Sequence, residues 1–149
     1  MTMFGAFLIA YIVVAAVAFA AYTPRLVGFF YAFRKPPYKK AVQKRKIGII
    51  VPARNESAVI GDLLESIARQ DYDGEFAVSI IVKDPDDPTI ALGKKIGAQV
   101  YVVPDQTCKG DALDGFFKAL PPDEFDSYDA FVIVDADGVL SPSYVRELN

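Results

Sequence analysis

From Met3 to Tyr22 the chain runs for 20 residues without a charge, and all are apolar except Gly5. A helix rises ~1.5 Å per residue, so this run reaches roughly 30 Å, the thickness of a bilayer's hydrocarbon core. It therefore predicts a transmembrane helix. A cleaved signal peptide is the competing reading, with Ala18-Phe19-Ala20 as its small-residue site. Against that stand the length of the run, which exceeds the ~7 to 15 residues of a signal core, and the lack of any Lys or Arg before it. Leu26 to Phe33 is apolar again and rich in aromatics, set off from the first run by Pro24 and Arg25. It reads either as the same helix kinked at the proline or as a segment lying in the membrane interface. Residues 1–33 form the expected anchor.

Charge divides the chain sharply. Through Lys46 there are eight basic residues and no acidic one; the other eight basic residues and all 19 acidic ones follow. A basic block directly after an apolar span marks the cytoplasmic side and is drawn to anionic headgroups. The expectation is a single-pass anchor in the cell membrane, a basic linker over residues 34–46 marked by Pro36-Pro37, and a cytoplasmic domain over residues 47–149. Nucleic acid is not an expected partner, because the globular part is strongly acidic and repels phosphate backbones. The single cysteine, Cys108, forms no intrachain disulfide and fits a reducing compartment. With no histidine in the chain, imidazole bases, Ser-His catalysis and His-containing zinc sites are excluded, so any metal must be held by oxygen.

After the linker, short β-branched runs alternate with amphipathic ones. Ile47–Val51, Val78–Val82, Val100–Val103 and Phe131–Val134 read as strands. Helices are expected after Asn55 (with Val59, Leu63, Leu64 and Ile67 inward), from Asp87-Pro88 to Gly97, over Asp111–Leu120 (with Leu113, Phe116, Phe117 and Leu120 inward), and after Ser141-Pro142. This alternation implies right-handed βαβ crossovers and a parallel sheet with helices on both faces. In such sheets ligands bind outside the carboxyl ends of the strands.

The last strand is the most informative, because Phe-Val-Ile-Val runs directly into Asp135-Ala136-Asp137-Gly138. Four apolar residues in a row suggest a strand covered on both faces. Two residues apart on an extended chain, the carboxylates of Asp135 and Asp137 point the same way and can approach one hard cation, Mg²⁺ or Mn²⁺. The plain alternative is that they cap a turn and the next helix. Two more loops at strand carboxyl ends carry unusual polar groups, Pro52-Ala53-Arg54-Asn55-Glu56 and Asp84 to Asp87. A fourth element, Lys109-Gly110-Asp111, puts a cation near a helix amino terminus, where an anionic phosphate can be met. Singly, Asn55, Asp87 and Asp111 read as caps, Asp84 as a turn residue and Lys109 as a solvated charge. Their convergence on one crevice is the stronger signal.

Together, Ile47-Gly-Ile-Ile-Val-Pro-Ala-Arg-Asn-Glu56, the acidic loop after the second strand, Lys109-Gly110 with Ala112-Leu113, and Val134-Asp135-Ala136-Asp137 closely resemble the glycosyltransferase family 2 proteins of GT-A fold, above all the membrane-anchored bacterial type. The resemblance covers Ile47 to Asn149, with four motifs in the family's order and spacing. It implies a Rossmann-like GT-A sheet that binds a nucleotide-sugar donor, usually UDP-linked, with a divalent cation. Carried over by position, it gives nucleotide contacts to Pro52, Ala53, Arg54 and Glu56, a base contact to Asp84, donor contacts to Lys109 and Gly110, and the metal motif to Asp135 and Asp137, with Asp137 first for the metal and Asp135 nearer the ribose or nucleotide. The leaving nucleoside diphosphate gains negative charge as its bond to C1 breaks, which a carboxylate-held cation stabilises.

This chain departs from the family in two places. The loop Asp84-Pro85-Asp86-Asp87-Pro88-Thr89 carries prolines where the family has Asn or Gly and Cys or Ser. The resemblance also implies that the catalytic base and the acceptor-binding half belong to a part beyond Asn149, leaving strand 131–134 as an open edge suited to self-association. Two rival readings remain. A nucleotidyltransferase would want a Gly-rich loop after the first strand, which Pro52–Glu56 is not. The other rival is a catalytically incomplete membrane-tethered module that binds nucleotide or docks a partner.

Overall fold

The computed structural model describes residues 3–34 and 41–149. Residues 35–40 of the expected basic linker, with Lys35, Pro36-Pro37, Lys39 and Lys40, lie outside the described residues. The chain divides into two compact units, of which the second is Ala41–Asn149.

The first unit is one helix, α1 (Met3–Ala32), which runs on through Pro24. A proline removes the N–H that would reach back to Ala20. Just before it, the Thr23 hydroxyl donates to the Phe19 carbonyl at 2.6 Å. Of the two readings of residues 26–33, continuous helix is the one that forms. The stretch Phe7–Ala32, with a mean hydropathy of 2.0, is long and apolar enough to cross a membrane.

The second unit is a four-stranded parallel sheet. Its strands are β1 (Ile47–Pro52), β2 (Phe76–Val82), β3 (Gln99–Val102) and β4 (Ala130–Ile133), in the order β3-β2-β1-β4. Between and after them come α2 (Ile60–Ala68), α3 (Thr89–Lys95), α4 (Lys109–Ala119), α5 (Pro122–Asp126) and α6 (Tyr144–Leu148). β1 is central and buried, and its side chains alternate between two cores as the period of a strand requires. Ile49 and Val51 join Ile60, Leu63, Leu64 and Ile67 of α2 and Val145 of α6, while Ile50 meets Ile81, Ala112, Phe116 and Leu120 on the α4 side. Each such Leu, Ile or Phe contributes about 1.5–3 kcal/mol through burial. Helices on both faces of a parallel sheet are what the alternation of motifs predicts.

Several local expectations give way. β4 is not covered on both faces. Its pattern is half-exposed and Ile133 is 44% exposed, while its place at the sheet edge, paired only with β1, is the one the resemblance implies. Asn55 does not cap α2. It adopts φ +58°, a left-handed conformation that Asn tolerates better than most residues, and a turn follows in which the Glu56 carbonyl accepts the N–H groups of Val59 and Ile60. The helix therefore starts at Ile60, and Val59 is left 44% exposed. In α4, Ala112 and Phe116 are buried, whereas Phe117 lies outside the core at 37% exposure, edge-on to Phe116, Phe125 and Phe131. Pro121-Pro122 ends α4 as expected, but Pro122 then opens the unpredicted α5 from the position proline favours. β2 begins two residues earlier than the apolar run suggested and β3 one. α6 begins at Tyr144.

Two terminations follow from backbone chemistry. Gly97 takes φ +75° immediately after the cap of α3, where residues with a Cβ are strained. Beyond β4 the chain returns to α2 and is fastened there by buried or half-buried polar groups. The Leu140 N–H donates to Ser66 Oγ, Gln70 Nε2 donates to the Ser141 carbonyl, and Gln70 Oε1 accepts the Val145 N–H. This clasp places Val145, fully buried, against the sheet.

Candidate functional site

The carboxyl ends of β1 and β4 and the β3–α4 loop enclose a crevice of about 370 Å³. The end of β1 and the loop after it contribute Pro52, Arg54 and Glu56, the β3–α4 loop and the start of α4 contribute Gln106, Cys108 and Lys109, and the turn after β4 contributes Asp135, Ala136 and Asp137. Six of the residues predicted from sequence therefore meet: Pro52, Arg54, Glu56, Lys109, Asp135 and Asp137. Three do not line the crevice. Ala53 is buried and its N–H donates to the Ile81 carbonyl at 2.8 Å, so that amide is engaged in the sheet. Gly110 sits inside the first turn of α4. Asp84 is exposed, in a turn whose carbonyl accepts the Asp87 N–H at 3.2 Å.

Each wall is held by polar contacts that the sequence only partly announced. Asp87 is 6% exposed, and its carboxylate accepts the N–H of Thr89 at 2.8 Å and that of Asn55 at 3.3 Å. It thus satisfies the first N–H of α3 from one residue before the N-cap, which is Pro88 where the sequence suggested Asp87, and also pins the left-handed residue that separates Arg54 from Glu56. In the opposite wall, Arg54 Nη1 donates to the Thr107 carbonyl at 3.3 Å and Lys83 Nζ to the Gln106 carbonyl at 3.2 Å. The Asp111 carboxylate accepts the Thr107 hydroxyl, the Thr107 N–H and the Cys108 N–H. Those bonds, the hydroxyl first, hold its pKa below the ordinary 3.8. Cys108 is the N-cap of α4 in a capping box with Asp111. A cysteine in place of Ser or Thr hides that signature, which is why the sequence reading started the helix two residues late.

The carboxylate pair is presented differently from the expected extended strand. β4 ends at Ile133, and the Gly138 N–H donates to the Asp135 carbonyl at 3.0 Å, closing a turn over residues 135–138. A Cβ on Gly138 would lie 3.1 Å from the Asp135 carbonyl oxygen, so the tightness of this turn accounts for the glycine. Ala136 is buried while Asp135 and Asp137 are exposed, both facing the crevice. Asp135 forms an ion pair with Lys109.

Among the described residues no group of three His, Cys, Asp or Glu side chains is placed to hold a metal. Two carboxylates beside an open crevice do suit a hard cation that takes its remaining oxygens from a diphosphate and water, the usual arrangement for Mg²⁺. The donor chemistry therefore fits.

The profile of glycosyltransferase-like family 2 matches residues 44–149. The chain belongs to this family. A curated relative, bacteriophage adsorption protein B of Escherichia coli K12, is 30% identical over 116 residues, which cover 71% of this chain and 16% of that protein. Among solved structures, a mannosyltransferase from Pyrobaculum calidifontis in complex with GDP-Man and Mn²⁺ superposes with a TM-score of 0.61 at 21% identity, over 89% of this chain and 41% of the other. The glucosyl-3-phosphoglycerate synthase of Mycobacterium tuberculosis, in complex with Mn²⁺, UDP and glucosyl-3-phosphoglycerate, gives 0.52 at 23% identity, over 76% and 43%. These likenesses show that the family 2 chain has a GT-A fold. It spans 16% of the length of the E. coli relative and less than half of either solved chain.

Proposed function

We propose that the crevice is the donor site of a membrane-anchored glycosyltransferase, one that takes a sugar from a nucleoside diphosphate, UDP in the first instance, and transfers it to an acceptor hydroxyl. The observation that carries this reading is convergence: Arg54, Glu56, Lys109, Asp135 and Asp137 come from three separate loops into one cavity. In a GT-A sheet that cavity lies where ligands of parallel sheets bind, outside the strand ends. Arg54 and Glu56 face the nucleotide, and Asp137, with Asp135, would hold Mn²⁺ or Mg²⁺. Such a cation, when bound, stabilises the negative charge that develops on the leaving diphosphate. Lys109 supplies a second positive charge at the same place. The base that takes the acceptor's proton is assigned to none of these residues. Asp84 stays outside the crevice here and is retained only as a nearby candidate for the base of the nucleotide. The reading also includes α1 as the anchor, residues 34–46 as a basic cytoplasmic linker and residues 47–149 as the donor domain.

Titration calorimetry of the full chain in detergent, with UDP or GDP and Mn²⁺, tests it. The wild type should bind one nucleotide in the presence of Mn²⁺, and Asp137→Ala should weaken that binding by about tenfold or more, the loss of ~1.4 kcal/mol expected for one charge-assisted contact. Asp137 is exposed, so its fold should be unaffected. Failure of the wild type to bind either nucleotide would turn the reading toward a docking module, which the open edge of β4 favours.

A further inference from the structure

We infer that Lys109 is the resident counter-cation of Asp135, exchanged for the divalent cation when the donor binds; this rests on the donor-site reading above. Lys109 is the first residue of the 11-residue α4, and a cation at the amino end of a helix sits at the wrong end of the backbone dipole. The acidic residue of the same turn, Asp111, is engaged by Thr107 and Cys108, and the anion that pairs with Lys109 is Asp135, reached across the crevice from the turn after β4. Asp135 has two carboxylate oxygens, of which Lys109 engages Oδ1. A metal ion approaching Asp135 and Asp137 must therefore meet an ammonium group already seated on one of its two protein carboxylates. Both partners are substantially exposed, at 48% and 71% of their side chains, so the pair is weak enough to open.

The exchange is electrically coherent. With Lys109 on Asp135, the lining holds two cations, Arg54 and Lys109, against three carboxylates, Glu56, Asp135 and Asp137. A diphosphate entering alone meets a net negative wall, and a metal ion entering alone meets a lysine. Arriving together they satisfy both, since the metal ion replaces the ammonium on Asp135 and the freed ammonium faces the diphosphate beside the amino end of α4. Lys109 thus couples the two ligands, opposing the metal alone and favouring it with the nucleotide.

The test measures free Mn²⁺ by its electron paramagnetic resonance signal in the presence of the full chain, without nucleotide, for wild type, Lys109→Gln and Lys109→Arg. Removing the competing charge should tighten Mn²⁺ binding by roughly three- to tenfold, as expected for a surface charge a few ångströms from a divalent ion. The arginine variant should stay close to wild type. At saturating Mn²⁺, the same Lys109→Gln change should weaken UDP binding instead. Equal or weaker Mn²⁺ binding by Lys109→Gln, while wild type still binds Mn²⁺ with UDP, overturns the exchange and leaves the donor-site reading standing. Absence of Mn²⁺-dependent UDP binding in the wild type overturns that reading and the exchange with it.

Discussion

Asp87 shows how one side chain serves two loops. Its carboxylate accepts the N–H of Thr89 at the start of α3 and the N–H of Asn55 between two crevice residues, and it is nearly buried while doing so. Replacing it by alanine leaves two backbone donors without their acceptor, at a cost of about 1–3 kcal/mol. Asp87→Ala should therefore lower the denaturation midpoint in urea and also weaken nucleotide binding, because Asn55 is released from φ +58°. Asp87→Asn keeps one acceptor oxygen and turns an amino group toward the other N–H, so it should recover only part of the stability. An alanine variant as stable as wild type contradicts the role. The bond to the start of α3 was legible in Asp-Pro-Thr; the second bond was not, since it joins residues 32 apart in the chain. Asp135 and Asp137 were legible as a pair sharing one crevice, though the reason differs. A turn closed by Gly138 presents them, where the sequence suggested extended backbone. Asp84 lies in an acidic loop that follows the right strand, yet the turn it occupies leaves it outside the crevice lining.

At the scale of elements, periodicity did more than caps. Ile60, Leu63, Leu64 and Ile67 form an i, i+3, i+4, i+7 set and are all buried. Val59 falls outside the set because α2 begins at Ile60, after the turn that follows Asn55. Phe117 also fits helical spacing but faces an aromatic group with Phe125 and Phe131 at the rim of the sheet, a tertiary outcome that spacing alone does not encode. α6 is held by its buried Val145 and by the clasp formed with Ser66 and Gln70. Gln70 donates to the carbonyls of Ser66 and Ser141 and accepts from Val145. Gln70→Ala should cost about 1–3 kcal/mol through these three bonds, with loss of amide exchange protection concentrated in residues 140–149. Uniform loss across the sheet, or none, contradicts the clasp.

At the scale of the molecule, the chain carries two units of opposite composition. Phe7–Ala32 is apolar and long, while the sheet unit carries all 19 acidic residues. If α1 is an anchor, alkaline extraction should leave the full chain with the membranes, and its release into the supernatant contradicts anchoring. The parallel α/β plan was legible because strand and helix periods alternate. The placement of the last strand at an edge was legible through the family resemblance and not through periodicity, and the strand order agrees with it. In the proposed function, the crevice between β1, the β3–α4 loop and the turn after β4 receives a nucleoside diphosphate together with a divalent cation. Cys108, the chain's one cysteine, is exposed and lines that crevice, so its rate of alkylation by N-ethylmaleimide reports occupancy at the site itself. With UDP at about ten times its dissociation constant, Mn²⁺ and UDP together should slow the reaction roughly tenfold, and neither alone should approach that protection. A rate unchanged by the two ligands together contradicts the account.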